Sequence, residues 1–218
     1  MNERAFVIAV LGAESTGKTT LALALRNALA TPQRRVAVVP EYLREFCDRE
    51  QRTPRRDEQR AIAEEQTRRI DAAAQAHDLV IADTTALMIA VYSDQVFGDA
   101  SLYANAERAH ARCDLTLLTA LDVPWQPDGL QRDGAHVREP VDAKVRVALV
   151  RAGIGWSVVF GSGTARHDAA LACVQRALAP PPSTDTVEPR WHWHCERCGD
   201  ASCERPYSLS RLGGRGLG

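Results

Sequence analysis

The sequence predicts an α/β fold in which a parallel five-stranded sheet is covered by helices on both faces. Three observations predict it. Short apolar runs recur at residues 5–11, 36–39, 79–82, 115–118 and 157–160. Stretches of helical character separate them, and strands that alternate with helices join into parallel sheets. A glycine-rich loop closes the first run and leads straight into an alanine- and leucine-rich stretch, Thr19 to Ala30, which is the strand–loop–helix order of a phosphate-binding turn.

That loop is the most informative segment. Gly12, Ala13, Glu14, Ser15, Thr16, Gly17, Lys18 and Thr19 fit the pattern G-x-x-x-x-G-K-[ST]. Its glycines let successive backbone N–H groups turn inward around a polyphosphate, and the following helix adds the partial positive charge of its N-terminus. Lys18 is expected to reach the β- and γ-phosphates, Thr19 to help hold Mg²⁺ through its hydroxyl, and Thr20 to adjoin the nucleotide. Only Lys18 and Lys144 are lysines among 27 basic residues, and one of the two stands where a compact ammonium is needed. The loop predicts binding of a nucleoside triphosphate.

The remaining elements follow in order. Thr31-Pro32 ends the first helix. Thr53-Pro54 reads as an N-cap followed by proline at the first helical position. From Pro54 to Ala76 the chain is highly charged, with Glu64/Arg68 and Glu65/Arg69 at i,i+4 spacing, which reads as a solvated helix face without chemistry. With 218 residues the chain supports one α/β domain with a real core plus a small appendage. The net charge of −1 provides no bulk field to attract nucleic acid or acidic membranes. No signal peptide or membrane span is visible, so a cytoplasmic location with reduced cysteines is expected. Cys47, Cys113 and Cys173 then read as core or surface thiols.

Ligands of open α/β sheets bind beyond the carboxyl ends of the strands, so polar residues that end strands are candidates for chemistry. Glu41 follows the second run and Asp83 the third. Asp83 is the better Mg²⁺ partner; its competing role is to cap the helix that begins near Thr84. Glu41 opens a turn that also holds Tyr42 and Arg44. A hydroxyl acceptor of a phosphoryl group needs a carboxylate to orient it and take its proton, and a ring such as Tyr42 can stack on a planar base. An ordinary ion pair on an amphipathic helix is the alternative. Asp122 and Trp125 follow the fourth run and lead into a flap carrying Arg132 and Arg138. Arginines there can neutralise charge on a transferred phosphoryl group, or the segment is a plain surface loop. Gly161-Ser162-Gly163-Thr164 ends the fifth run, where Gly163 can let backbone approach the nucleotide or simply turn the chain.

Residues 180–190 are proline-rich and read as a linker, followed by a Cys/His-rich tail, residues 191–218. His192, Cys195, Cys198 and Cys203 would fill a tetrahedral, structural zinc site, with His194 as an alternative fourth ligand; reduced thiols in a loose tail are the other reading.

Taken together, Gly12–Thr19, Glu41-Tyr42 with Arg44, Asp83-Thr84 and Asp122-Val123-Pro124-Trp125 resemble the NadR-type ribosylnicotinamide kinase domain over about residues 5–178. The resemblance implies a three-layer P-loop NTPase fold of strand order 2-3-1-4-5, ATP and Mg²⁺ as cofactors, and phosphorylation of the ribose 5′-hydroxyl of nicotinamide riboside in NAD biosynthesis. Carried over by position, Gly12 to Thr19 bind ATP, Glu41, Tyr42 and Asp83 lie at acceptor and metal, Asp122 and Trp125 flank the acceptor, and Arg132 and Arg138 sit in the lid. None of the six histidines begins the His-x-Gly-His motif of the bifunctional members, so adenylyl transfer is not expected. A regulatory ATPase or nucleotide switch with a partner-binding tail is the alternative from another class. Against a GTPase stands the absence of an Asn/Thr-Lys-x-Asp signature. Against a remodelling ATPase stands Thr84, where a water-polarising glutamate would follow Asp83.

Overall fold

Phe6–Leu11 forms the central strand, β1, and every residue from Val7 to Leu11 is buried. Both faces of such a strand must be covered, as in all-parallel sheets. Val36–Val39 (β2), Leu79–Asp83 (β3), Leu115–Thr119 (β4) and Ser157–Val159 (β5) complete one sheet of order β2-β3-β1-β4-β5, in which all pairings are parallel. This is the predicted architecture and strand order. The structure is a computed structural model that describes residues 4–126 and 135–180. All but the last of these belong to one compact unit, Met1–Ala179.

Among the described residues seven helices cover the sheet: Lys18–Leu29 (α1), Tyr42–Glu50 (α2), Gln59–Ala76 (α3), Ala86–Phe97 (α4), Tyr103–His110 (α5), Arg138–Arg151 (α6) and Gly163–Leu178 (α7). The period-two alternation of strand side chains sorts them into layers. Ile8 and Val10, with Ile81, Leu117 and Val159, pack against Leu21 and Leu25 of α1 and Val174 of α7. Ala9 and Leu11 pack with Leu87 and Ile89 of α4 and Val145 and Leu149 of α6. Ile70 of α3 joins Val7, Val39 and Val80. Helix α4 is buried from Ala86 through Val91, so it runs through the middle of its layer. Among the described residues no helix is long and apolar enough to cross a membrane.

Three expectations need correction. Helix α3 does not start at Pro54. A 3₁₀ turn, Arg56–Glu58, precedes Gln59, because Glu58 reaches back to accept from the Arg55 backbone at 2.7 Å and from Arg52 at 2.6 and 2.7 Å. Of the charged pairs expected on α3, Glu65–Arg69 forms, but Arg68 pairs with Glu65 rather than Glu64, and Arg69 continues to Glu45 on α2. Third, the fifth strand stops at Val159, leaving Phe160 exposed.

The ends of β1 and β4 fix the glycine-rich loop. Gly12 has φ +148°, and a Cβ built there would lie 2.0 Å from Thr119 Oγ1. The Thr119 hydroxyl lies 3.0 Å from the Leu11 carbonyl and 2.7 Å from the Thr16 hydroxyl, which donates to the Ala13 carbonyl at 2.8 Å. A methyl group at position 12 therefore collides with the group that ties loop to sheet. Gly12→Ala is expected to cost about 2–3 kcal/mol, as overpacking of a tight interior does. Urea unfolding checks this, and an unchanged midpoint would show that the loop is not packed this way.

His110 is buried between the hydroxyls of Thr85 and Thr116, each 2.9 Å from a ring nitrogen. Burial pushes its pKa down from 6.5 to about 4. The folded protein thus holds the neutral ring while the unfolded chain takes up a proton, so stability is full above pH 6.5 and falls as pH drops toward 4. The loss across that window is about 3 kcal/mol. A His110→Gln variant should lose that much less stability between pH 7 and pH 4; parallel pH profiles for the two proteins would refute the assignment. The carboxylates Glu58, Glu65 and Asp99, held at about 2 by their hydrogen bonds, lose their contribution as pH falls from their unfolded values of about 4 toward 2, and do so in both proteins alike.

Candidate active site

The glycine-rich loop turns at the carboxyl end of β1 through Ser15 (φ 53°) and Gly17 (φ 77°), and Gly17 caps α1. Lys18 Nζ lies 3.0 Å from the Ala13 carbonyl. A cavity of about 610 Å³ opens over Ser15 to Thr20 and is closed on its other side by Val123, Pro124 and Gln126. Ser15 Oγ donates to the Gln126 carbonyl at 2.6 Å across it.

Asp83 ends β3 beside this loop, and Thr19 Oγ1 donates to its Oδ2 at 2.6 Å. The other oxygen, Oδ1, is buried and meets no hydrogen-bond partner. A buried carboxylate oxygen left unmet is costly, and a hard cation is what satisfies it. The donor set, a hydroxyl beside a carboxylate, suits Mg²⁺, which keeps most of its ligands as waters and phosphate oxygens. The alternative role for Asp83 is filled by another residue, since Thr85 caps α4 and accepts from the Leu87 N–H at 3.3 Å.

Glu41 sits at the start of α2, mostly buried, with Arg44 Nη2 at 3.8 Å. A second cavity, about 360 Å³, is lined by Lys18, Glu41, Arg44, Leu43, Tyr92 and Phe97 among others. Lys18 and Arg44 line both cavities. The spaces on either side of the loop thus meet at two cations. Tyr42 is placed otherwise than expected: its ring carries the Arg69 guanidinium 4.3 Å from the centroid, and its backbone N–H donates to Gln66. The aromatic wall comes instead from Tyr92 and Phe97 of α4, which sequence reasoning left in an anonymous helix.

Asp122 is tied down rather than presented to the second cavity. Its Oδ1 accepts from Arg166 at 2.6 Å and its Oδ2 from the Gly161 N–H at 2.6 Å. Gly163 (φ 55°) is the first residue of α7, behind Ser162 as cap, so this glycine-rich turn starts a helix. Trp125 is half-buried, its indole N–H without a partner among the described residues. Arg138, at the start of α6, is buried and reaches the Leu121 carbonyl at 3.4 Å. Arg132 lies outside the described residues, as do the linker beyond Pro180, His192, His194, Cys195, Cys198 and Cys203 and with them the expected zinc site.

Three further residues went unread in the sequence. Arg166 is buried and donates to the Thr16 carbonyl at 2.5 Å as well as to Asp122. Gln66 is buried on the charged helix α3. Gln59 lines the second cavity with a buried carbonyl oxygen that meets no partner. The only sequence signal was the glycine-rich turn four residues before Arg166.

Comparison with known proteins agrees with this fold. The family profile described as AAA domain matches residues 7–166. No curated protein sequence matches significantly. A crystal structure of NadR protein in complex with NR superposes with a TM-score of 0.68 at 20% identity, covering 79% of this chain and 51% of that one. A NadR protein structure in complex with NAD and AMP-PNP gives 0.61 at 20% identity, covering 79% and 49%. The chain thus spans about half the length of these structures, and at this identity the likeness is one of fold. With the family match running from the first strand to the turn of α7 that carries Arg166, the chain belongs to the AAA domain family and has the P-loop NTPase fold.

Proposed function

We propose that this protein is an ATP-dependent small-molecule kinase that phosphorylates the ribose 5′-hydroxyl of nicotinamide riboside or a closely related nucleoside. The observation that carries the reading is the meeting of two cavities at Lys18 and Arg44. A hydrolase needs one nucleotide cleft and a water; a kinase needs a second, walled space that opens on the γ-phosphate. The resemblance of Gly12–Thr19, Glu41, Asp83 and Asp122 to the ribosylnicotinamide kinases supports the choice of acceptor.

In this reading ATP lies over Ser15 to Thr20 and its γ-phosphate reaches Lys18. Thr19 and Asp83 would hold Mg²⁺, which neutralises phosphate charge when bound. The acceptor ribose enters beside Glu41, with its base against Leu43, Tyr92 and Phe97, an apolar and aromatic wall suited to a planar ring. The acceptor oxygen forms a bond to the γ-phosphorus as the bond to the β–γ bridging oxygen breaks. ADP departs with that electron pair, and the hydroxyl proton passes to the Glu41 carboxylate. Lys18 and Arg44 face the charge spread over the transferred oxygens, and such preorganised cations are the main source of rate in phosphoryl transfer.

An assay of ADP release over a panel of nucleosides that includes nicotinamide riboside tests the proposal. Release that depends on one acceptor is expected; equal release without any acceptor would overturn it in favour of a nucleotide switch. Lys18→Ala should abolish turnover with an unchanged far-ultraviolet circular dichroism spectrum. Glu41→Gln should lower kcat by about 10²–10⁴-fold, the range for a lost general base, while ATP affinity changes less than about twofold, as for an interaction made only in the transition state. Equal losses in kcat and ATP affinity would remove Glu41 as the base.

A further inference from the structure

Gln66 is a fully buried amide in the middle of α3. Its Oε1 accepts from the Tyr42 backbone N–H at 2.7 Å, and its Nε2 donates to the Pro40 carbonyl at 3.3 Å and the Thr84 carbonyl at 3.2 Å. These contacts fix the orientation of the amide, because the reversed group would set N–H against N–H and carbonyl against carbonyl. Each tethered residue adjoins a carboxylate of the candidate site. Pro40 and Tyr42 flank Glu41, and Thr84 follows Asp83.

We propose that Gln66 is a positioning residue for phosphoryl transfer, an internal clasp that sets Glu41 and Asp83 at their working separation. The inference rests on the kinase reading above. The ladder between β2 and β3 ends at the pair Val39–Ala82, so the segments bearing the two carboxylates no longer pair with each other beyond it, although Asp83 still pairs with Val10 of β1. The two Nε2 bonds join those segments after the strands have stopped pairing. Thr84 adds a second reason. It is a β-branched residue at φ 82°, a conformation that persists only where its surroundings enforce it. Its N–H donates to the Val10 carbonyl at 3.2 Å and its carbonyl accepts from Gln66, so both faces of the strained residue are held. Packing alone does not require an amide here, since the neighbouring buried positions of α3, Ile62, Ala63 and Ile70, are apolar. A buried amide is tolerated when its polar atoms are met, and these are met by the two junctions that carry the chemistry.

The test compares Gln66→Met, similar in length but without polar atoms, with Gln66→Glu, which keeps the acceptor for Tyr42 and regains a donor only when protonated. For Gln66→Met, kcat is expected to fall about 10²-fold, the effect of displacing reacting groups by about 1 Å. ATP affinity in EDTA, which the phosphate loop governs, should stay at the wild-type value, while the gain in affinity on adding Mg²⁺ shrinks. For Gln66→Glu, activity relative to wild type should rise as pH falls. Wild-type kcat in Gln66→Met overturns the proposal. So does a loss of Mg²⁺-free ATP affinity equal to the loss in kcat, the mark of a general structural role. Should Gln66→Met not fold, the pH dependence of Gln66→Glu decides: a flat ratio to wild type overturns the clasp. If the wild-type protein phosphorylates no acceptor, the kinase reading fails on its own. An unchanged Mg²⁺ gain in Gln66→Met would then still overturn the clasp, and a reduced gain would support it at Asp83.

Discussion

The site depends on one buried guanidinium. Arg166 donates through Nη1 to the Thr16 carbonyl at 2.5 Å, and through Nη2 to the carbonyls of Ala120 and Val159 at 2.9 and 3.2 Å and to Asp122 at 2.6 Å. Burial works against its charge and lowers its pKa, and the Asp122 carboxylate offsets that. Removing one partner of such a buried pair costs about 3–5 kcal/mol where the survivor is left uncompensated. Asp122, one-third exposed, allows water to soften part of that. The consequence for binding follows from peptide geometry. In a trans peptide the carbonyl and the next N–H point in opposite directions, so pinning the Thr16 carbonyl to Arg166 turns the Gly17 N–H the other way. The same holds one turn earlier, where the Ala13 carbonyl takes bonds from Thr16 and Lys18 and the Glu14 N–H is directed away from them. The amide lining of the phosphate cup is thus set from outside the cup.

Much of this architecture was legible in the chain because strands buried on both faces have nowhere to place polar residues. All five apolar runs became strands with ends shifted by at most one residue, and Glu41 and Asp83 stood out as the polar residues that end such runs. What stayed hidden depends on distance along the chain. Arg166 meets Thr16 across 150 positions, and nothing local marks an arginine that will be buried. Gln66 lies in a helix whose glutamates and arginines pair with one another, so its neighbours read as a solvated face and the two buried amides, Gln59 and Gln66, were masked. Tyr42 was misplaced for a related reason: its ring suits a nucleoside base, but Arg69, anchored by Glu45 and Glu65, already lies on it. Tyr92 and Phe97 belong to a helix buried nearly all round, whose weak periodicity conceals which end faces a cavity.

The charges of the site are distributed to the same effect. Around the second cavity Arg55 pairs with Glu58 and Arg56 with Asp99. Such exposed pairs contribute little to stability. At the junction of the cavities Arg44 in turn lies 3.8 Å from the Glu41 carboxylate, and Lys18 lies 3.0 Å from the Ala13 carbonyl.

The two carboxylates divide their work by environment. Asp83 has one oxygen taken by Thr19 and the other, among the described residues, unmet within a buried junction, a state that a bound cation relieves. Glu41 lines the second cavity beside Arg44, whose Nη2 lies 3.8 Å from its carboxylate. Exchanging the roles would set a proton acceptor where Thr19 already donates, and a metal ligand against a cation. In the kinase reading proposed above, Asp83 therefore stands on the metal side and Glu41 on the acceptor side. Arg166 pins the phosphate loop from the half of the sheet formed by β4 and β5, and Gln66 holds the carboxylates from the half formed by β2 and β3. The central strand β1 joins the two halves, and the loop that it carries lies where their constraints meet.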